Sequence, residues 1–158
     1  MSTRRVTLEG SHSLIPSGLA AKTDPNPSAR MTATILVRRR LDSGSSARVE
    51  AILRGEAPAL SREEAAASLG ADPMDIERVT SFAAAEGLTI LEANLPRRAV
   101  RVEGTVSQME AAFGARLRAC EVAKHEYICY EGPLSIPADL EGIIVGVLGL
   151  DQRPVARR

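Results

Sequence analysis

The sequence has no tryptophan, and its aromatic side chains are two phenylalanines and two tyrosines in 158 residues: Phe82, Phe113, Tyr127 and Tyr130. Base-stacking platforms and aromatic-lined sugar sites both need flat π surfaces, so neither class fits. No charge of either sign is in excess, because 20 Lys+Arg face 20 Asp+Glu. A polyanion or an anionic membrane would be drawn by a net field that is missing here. No apolar run reaches the roughly eighteen residues a spanning helix needs. After Arg4, Arg5 and Val6 come polar Glu9, Gly10, Ser11 and His12, where a secretion signal places its apolar segment, so no signal peptide is read there. Cys120 and Cys129 are too few for a disulfide scaffold and lack an adjoining His/Cys pair for structural zinc. The two lysines, Lys22 and Lys124, follow no phosphate-cradling loop, and no glycine-rich turn opens a helix in dinucleotide-binding fashion. Nucleic acid, membrane, cofactor and metal are all unexpected.

What the sequence does have is an aliphatic core, with 44% apolar residues, at a length that suits one domain with tails. Residues 1–30 carry Pro16, Pro25 and Pro27 and one short alternation, Val6 and Leu8, which reads as an N-terminal arm with one strand. Met31, Ala33, Ile35 and Val37 recur at period two in a β-branched run, which predicts a strand over 31–39. Asp42 to Ser46 reads as a loop and Ala47 to Pro58 as weakly helical at best. Ser61-Arg-Glu-Glu64 is a capping box, and Asp72-Pro73 pairs an N-cap with a proline at the first helical position, so two helices follow one another. Ile76, Val79, Phe82 and Ala83 form the inward stripe of the second, and Gly87 stops it. Strands are predicted over 88–95 and 99–103. Thr105 to Gln108 forms a further capping box, opening a helix that buries Val106, Met109, Ala112 and Phe113. Extended runs over 115–121 and 126–130 flank a turn near 123–125, then a helical turn begins at Pro137 and a last strand covers 146–150. This order predicts an α+β chain, a ferredoxin-like split βαβ antiparallel sheet with helices on one face, an extra C-terminal hairpin and a short helix. The other face of that sheet meets water or another protein.

Residues of the types that carry chemistry have simpler roles here. Ser43, Ser45 and Ser46 sit in a polar stretch without the strained elbow, base and oxyanion donors that a nucleophile requires. His12 and His125 are isolated. Glu63, Glu64, Asp72 and Asp75 stand at helix starts, where carboxylates complement the macrodipole. The run Arg38 to Arg40 reads as a solvated strand end. Cys120 and Cys129 would face each other only if Lys124 and His125 make a two-residue turn, and cross-strand disulfides need an uncommon geometry, so reduced thiols are expected. No catalytic, cofactor-binding or metal residue is assigned, and the oligomeric state is left open.

Several segments in order and spacing nevertheless point to a family. They are Val6-Thr-Leu-Glu-Gly-Ser-His12, Thr34-Ile-Leu-Val-Arg-Arg-Arg40, Leu69-Gly-Ala-Asp-Pro73, Phe82-Ala-Ala-Ala-Glu-Gly-Leu-Thr89, Met109-Glu-Ala-Ala-Phe-Gly114, Glu131-Gly-Pro-Leu-Ser-Ile-Pro137 and Val147-Leu-Gly-Leu-Asp-Gln-Arg-Pro154. With them the chain resembles the pro-kumamolisin activation domain, the propeptide of sedolisin-type serine-carboxyl peptidases. The resemblance implies an intramolecular chaperone and inhibitor of a cognate peptidase domain, released by acid-triggered processing and exported with its enzyme. It also implies a non-enzymatic chain, since the family's catalytic Ser, Glu and Asp belong to a domain after the propeptide that these residues do not include. The arm would be 1–30, the activation domain 31–150, and 151–158 the start of a linker, with Arg153, Pro154, Val155, Ala156, Arg157 and Arg158 leading toward the peptidase. The alternative is a stand-alone ferredoxin-like module for binding or dimerisation.

Overall fold

The computed structural model describes residues 4–12, 23–40, 43–122 and 124–153. The element order is β1 (Arg5–Thr7), β2 (Arg30–Val37), α1 (Ser43–Leu53), α2 (Arg62–Leu69), α3 (Pro73–Ala85), β3 (Thr89–Asn94), β4 (Ala99–Thr105), α4 (Val106–Phe113), β5 (Arg116–Val122), β6 (His125–Glu131), β7 (Ser135–Pro137), a 3-10 turn at Ala138–Leu140, and β8 (Ile144–Leu148). Helices and antiparallel sheets together make an α+β fold. The period-two pattern of β2 is realised directly, with Met31, Ala33, Ile35 and Val37 buried and the residues between them on the opposite face. β2 pairs antiparallel with β4 and β8 and β3 with β4, which gives the order β3-β4-β2-β8.

Two helices close the buried face. Asp72 caps α3 by accepting from the Met74 N–H at 2.9 Å, and Pro73 opens its first turn. Its stripe Ile76, Val79 and Ala83 is buried. In α4 the Thr105 hydroxyl accepts from the Gln108 N–H while the Gln108 side chain accepts from the Thr105 N–H. Gly114 then ends the helix at φ 57°, where a Cβ would lie 2.1 Å from Ser135 Oγ, so glycine is required there. Phe113 is wholly buried and meets Phe82 edge-on, with centroids 6.2 Å apart and planes at 73°. β1 and β7 form a separate two-stranded ladder, which adds Leu8, Leu134 and Ile136 to the same core.

Three expectations change. Ser43 to Ser46 begins α1 instead of forming a loop, because serine is as favourable at a helix start as in a turn, and Ala47, Val49, Ala51 and Ile52 carry the helix on. β8 starts two residues earlier than expected, at Ile144. Cys120 and Cys129 are joined as a disulfide, with Cα atoms 6.4 Å apart, not reduced. Val122 pairs with His125, so Cys120 lies opposite Tyr127 and Cys129 opposite Arg118. The cysteines are therefore diagonal neighbours on one hairpin face, a relation that a directly opposed pairing would miss.

Candidate interaction surface

The ladder registers write out the sheet's second face row by row. Glu92, Arg101, Thr34 and Leu148 form one row across the four strands, and Asn94, Ala99, Leu36 and Gly146 form the next. Thr32 and Glu103 face each other in a third, where Glu103 also ion-pairs with Arg30. None of these side chains is buried. The face is charged and hydrogen-bonding at β3 and β4 and apolar toward β8, where Leu148 is 56% exposed. On the edge strand β8, Gly146 keeps the surface low, since a Cβ there would touch Leu36 Cδ1 at 3.4 Å. Such a face can bury a partner's side chains at its apolar end while its charged end fixes orientation.

The C-terminal exit from this sheet is fastened. Leu150 is buried, the Gln152 N–H donates to the Ile128 carbonyl at 2.7 Å, and Arg153 returns to Asp151. The Arg153 Nε–H lies 2.9 and 3.1 Å from the two Asp151 oxygens, and the Arg153 backbone N–H donates to Oδ1 at 3.1 Å. Burial pushes the Asp151 carboxyl up, but the Arg153 hydrogen bonds and charge outweigh it and hold the pKa below the usual carboxylate value. The same carboxylate holds the Arg153 guanidinium above its ordinary pKa. Arg153 is thus part of the folded domain, while Pro154, Val155, Ala156, Arg157 and Arg158 lie outside the described residues.

The other candidates are dispersed. His12 and His125 are both exposed, and His125 stands 6.4 Å from the Tyr127 ring. The backbone of Ser43, Ser45 and Ser46 belongs to α1. Among the described residues no group of three or more His, Cys, Asp or Glu could hold a metal. Arg39 and Arg40 are exposed as expected, but Arg38 is not merely solvated, because its guanidinium grips buried Asp75. Residues 55–96 carry eight acidic side chains, and four of them are engaged within the chain by caps and ion pairs. Asp72 caps α3, Asp75 holds Arg38, Glu64 accepts from the Ser61 N–H and pairs with Arg48, and Glu56 pairs with Arg54. The Ser61 backbone bond and the Arg48 charge hold the Glu64 pKa below its ordinary value.

The described residues thus present a half-exposed sheet face followed by a fastened exit. The family described as Pro-kumamolisin, activation domain, matches residues 17–153. The chain belongs to this family. It is 37% identical over 131 residues to Kumamolisin of Bacillus sp. (strain MN-32), covering 81% of this chain and 24% of that protein. It is 26% identical over 164 residues to Tripeptidyl-peptidase sed5 of Aspergillus fumigatus, covering 92% of this chain and 28% of that one. The activation domain described here therefore spans about a quarter of the length of these curated relatives. Sequence reasoning missed two pairs in this activation domain, Arg38 with Asp75 and Asp151 with Arg153. The second had a signal, an Asp two residues before an Arg after the last strand; the first joins residues 37 positions apart and had none.

Proposed function

We propose that the chain is the propeptide of a sedolisin-type serine-carboxyl peptidase, which it chaperones during folding and inhibits until acid processing releases it. The observation that carries this reading is the family match over 17–153, and the half-exposed sheet face supplies a surface for the task. Apolar Leu148 and Leu36 at the β8 side would bury against the enzyme, and the Arg101 and Glu103 side would set register. The chain itself is non-catalytic in this reading, and the residues from Arg153 to Arg158 lead toward the peptidase. Export with the enzyme accords with the Cys120–Cys129 bond, since disulfides persist in oxidising compartments.

Acid acts on the exit clasp. Asp151 has a folded-state pKa below its unfolded value, so the stability it contributes is present above about pH 4 and is lost as pH falls through the depressed value. Acid therefore loosens Arg153 from the domain and opens the segment to processing. The chaperone role is tested by diluting the denatured cognate peptidase domain from guanidinium with and without this chain. Active enzyme should be recovered only when the chain is present, and equal recovery in both would contradict the reading.

A second reading has one observation behind it. β8 is an edge strand, and its sequence Ile144–Leu148 contains no charged residue to discourage pairing with another copy. A concentration-dependent dimer in sedimentation that dissociates on Val145→Lys would support self-association, and a monomer at all concentrations would remove it.

A further inference from the structure

Where the β3–β4 turn faces α2, an open cleft of about 630 Å³ has an apolar floor of Ala65, Leu69 and Pro96 and is rimmed by Arg62, Arg97 and Arg98. Elsewhere Arg30, Arg38, Arg48, Arg118 and Arg153 each hold a carboxylate of the chain. Among the described residues the guanidinium groups of Arg62, Arg97 and Arg98 have no such partner. Of the cleft's lining, Asn94 is engaged by a carboxylate, donating to Glu92 at 3.1 Å.

The backbones that carry these arginines are fixed. The Arg97 N–H donates to Asn94 Oδ1 at 2.9 Å, the Arg98 N–H donates to the Leu95 carbonyl at 3.1 Å, and the Arg98 carbonyl accepts from the Val37 N–H at 2.8 Å. Arg98 holds φ 55°, in the left-handed region where glycine or asparagine would be easier, so the turn carries a cation in place of the residue its backbone prefers. Arg62 opens α2 immediately after the Ser61 capping box. Asn94 lies on the open sheet face opposite Ala99, so the cleft continues from that face around the end of β3 and β4.

We infer that this cleft receives an acidic segment of the partner peptidase, its carboxylates meeting Arg62, Arg97 and Arg98 and its aliphatic carbons covering Ala65, Leu69 and Pro96. Three unpaired guanidinium groups complement carboxylates, and the apolar floor suits the methylenes of Glu and Asp side chains. This inference rests on the propeptide reading. Nucleic acid is the less fitting polyanion, because the chain has no net positive charge and no aromatic residue lines the cleft.

The test is inhibition of the cognate mature peptidase by the wild-type chain and by the variant Arg62→Glu/Arg97→Glu/Arg98→Asn, in which Asn suits the left-handed turn. At low ionic strength the inhibition constant should rise about tenfold or more, in line with three exposed pairs lost together, and the gap should narrow as salt is added. Arg78→Glu, on α3 and outside this cleft, should change it far less. A second readout needs no variant: phenylglyoxal labelling followed by mass spectrometry should show Arg62, Arg97 and Arg98 protected in the wild-type complex and reactive in the free chain. Equal inhibition by the triple variant, or unchanged labelling in the complex, overturns the inference while leaving the propeptide reading in place. A wild-type chain that neither binds nor inhibits removes both.

Discussion

Asp75, buried in the first turn of α3, accepts two hydrogen bonds from the Arg38 guanidinium at 2.7 and 3.2 Å, and so ties the end of the central strand to the core helix. The Asp75 hydrogen bond, outweighing the cost of burial, also raises the Arg38 pKa. Arg38→Ala would leave a carboxylate without its partner at 6% exposure. Because Arg38 itself is partly solvated, the expected loss is about 2 to 3 kcal/mol, below that of a fully buried pair. Urea midpoints check this, and the double variant Arg38→Met/Asp75→Leu should recover part of the loss. A single-variant loss under about 0.5 kcal/mol would show that the pair is ornamental.

The two phenylalanines should differ in cost even though they touch. Phe113 is wholly buried and Phe82 half-buried, so Phe113→Ala should lose about 3 to 5 kcal/mol and Phe82→Ala clearly less. Equal losses in urea titrations would mean that the outer side of α3 is covered by something beyond the described residues.

The hairpin β5–β6 is expected to depend on its disulfide. Cys120 and Cys129 close a short loop, with a sequence separation of 9, for which loop-closure entropy gives about 2 to 3 kcal/mol. Cys120→Ser/Cys129→Ser should lower the thermal midpoint, and a dithiol reductant should do the same to the wild-type chain and not to the variant. Free-thiol titration of the unreduced protein should find none; two reactive thiols would contradict the pairing.

These residues also show how far the sequence could be read. Period-two alternation located β2, and the capping boxes at Ser61 and Thr105 located α2 and α4, because those signals are local and lie in the chain itself. The start of α1 was hidden because serine serves turns and helix starts alike. The pairing of the cysteines turned on where a turn falls, and moving the turn by one residue changes which residues face each other across the hairpin. The open sheet face was legible from the lack of helices to cover it. The arginine cleft was not, since Arg62 and the pair Arg97 and Arg98 meet only after α2 and the β3–β4 turn are folded together.

Asp151 gives the exit segment an acid response of known sign. Its depressed folded-state pKa means that the clasp on Arg153 holds above the unfolded value of about 4 and weakens as pH falls through the lower folded one. Amide exchange at Gln152 and Arg153, corrected for intrinsic pH dependence, should therefore accelerate in acid relative to β2. In Asp151→Asn it should already be faster at neutral pH and change less with acid. Protection that matches β2 at every pH would rule out the clasp as the acid-sensitive point.

The central claim, that this activation domain restrains a peptidase, is tested most directly by adding the purified chain to its mature cognate enzyme and following a small fluorogenic substrate from about pH 7 down to about pH 3. The account predicts tight inhibition at neutral pH that weakens as the carboxylates protonate. Inhibition that does not change over this range would contradict the acid release, and its absence at every pH would contradict the claim itself.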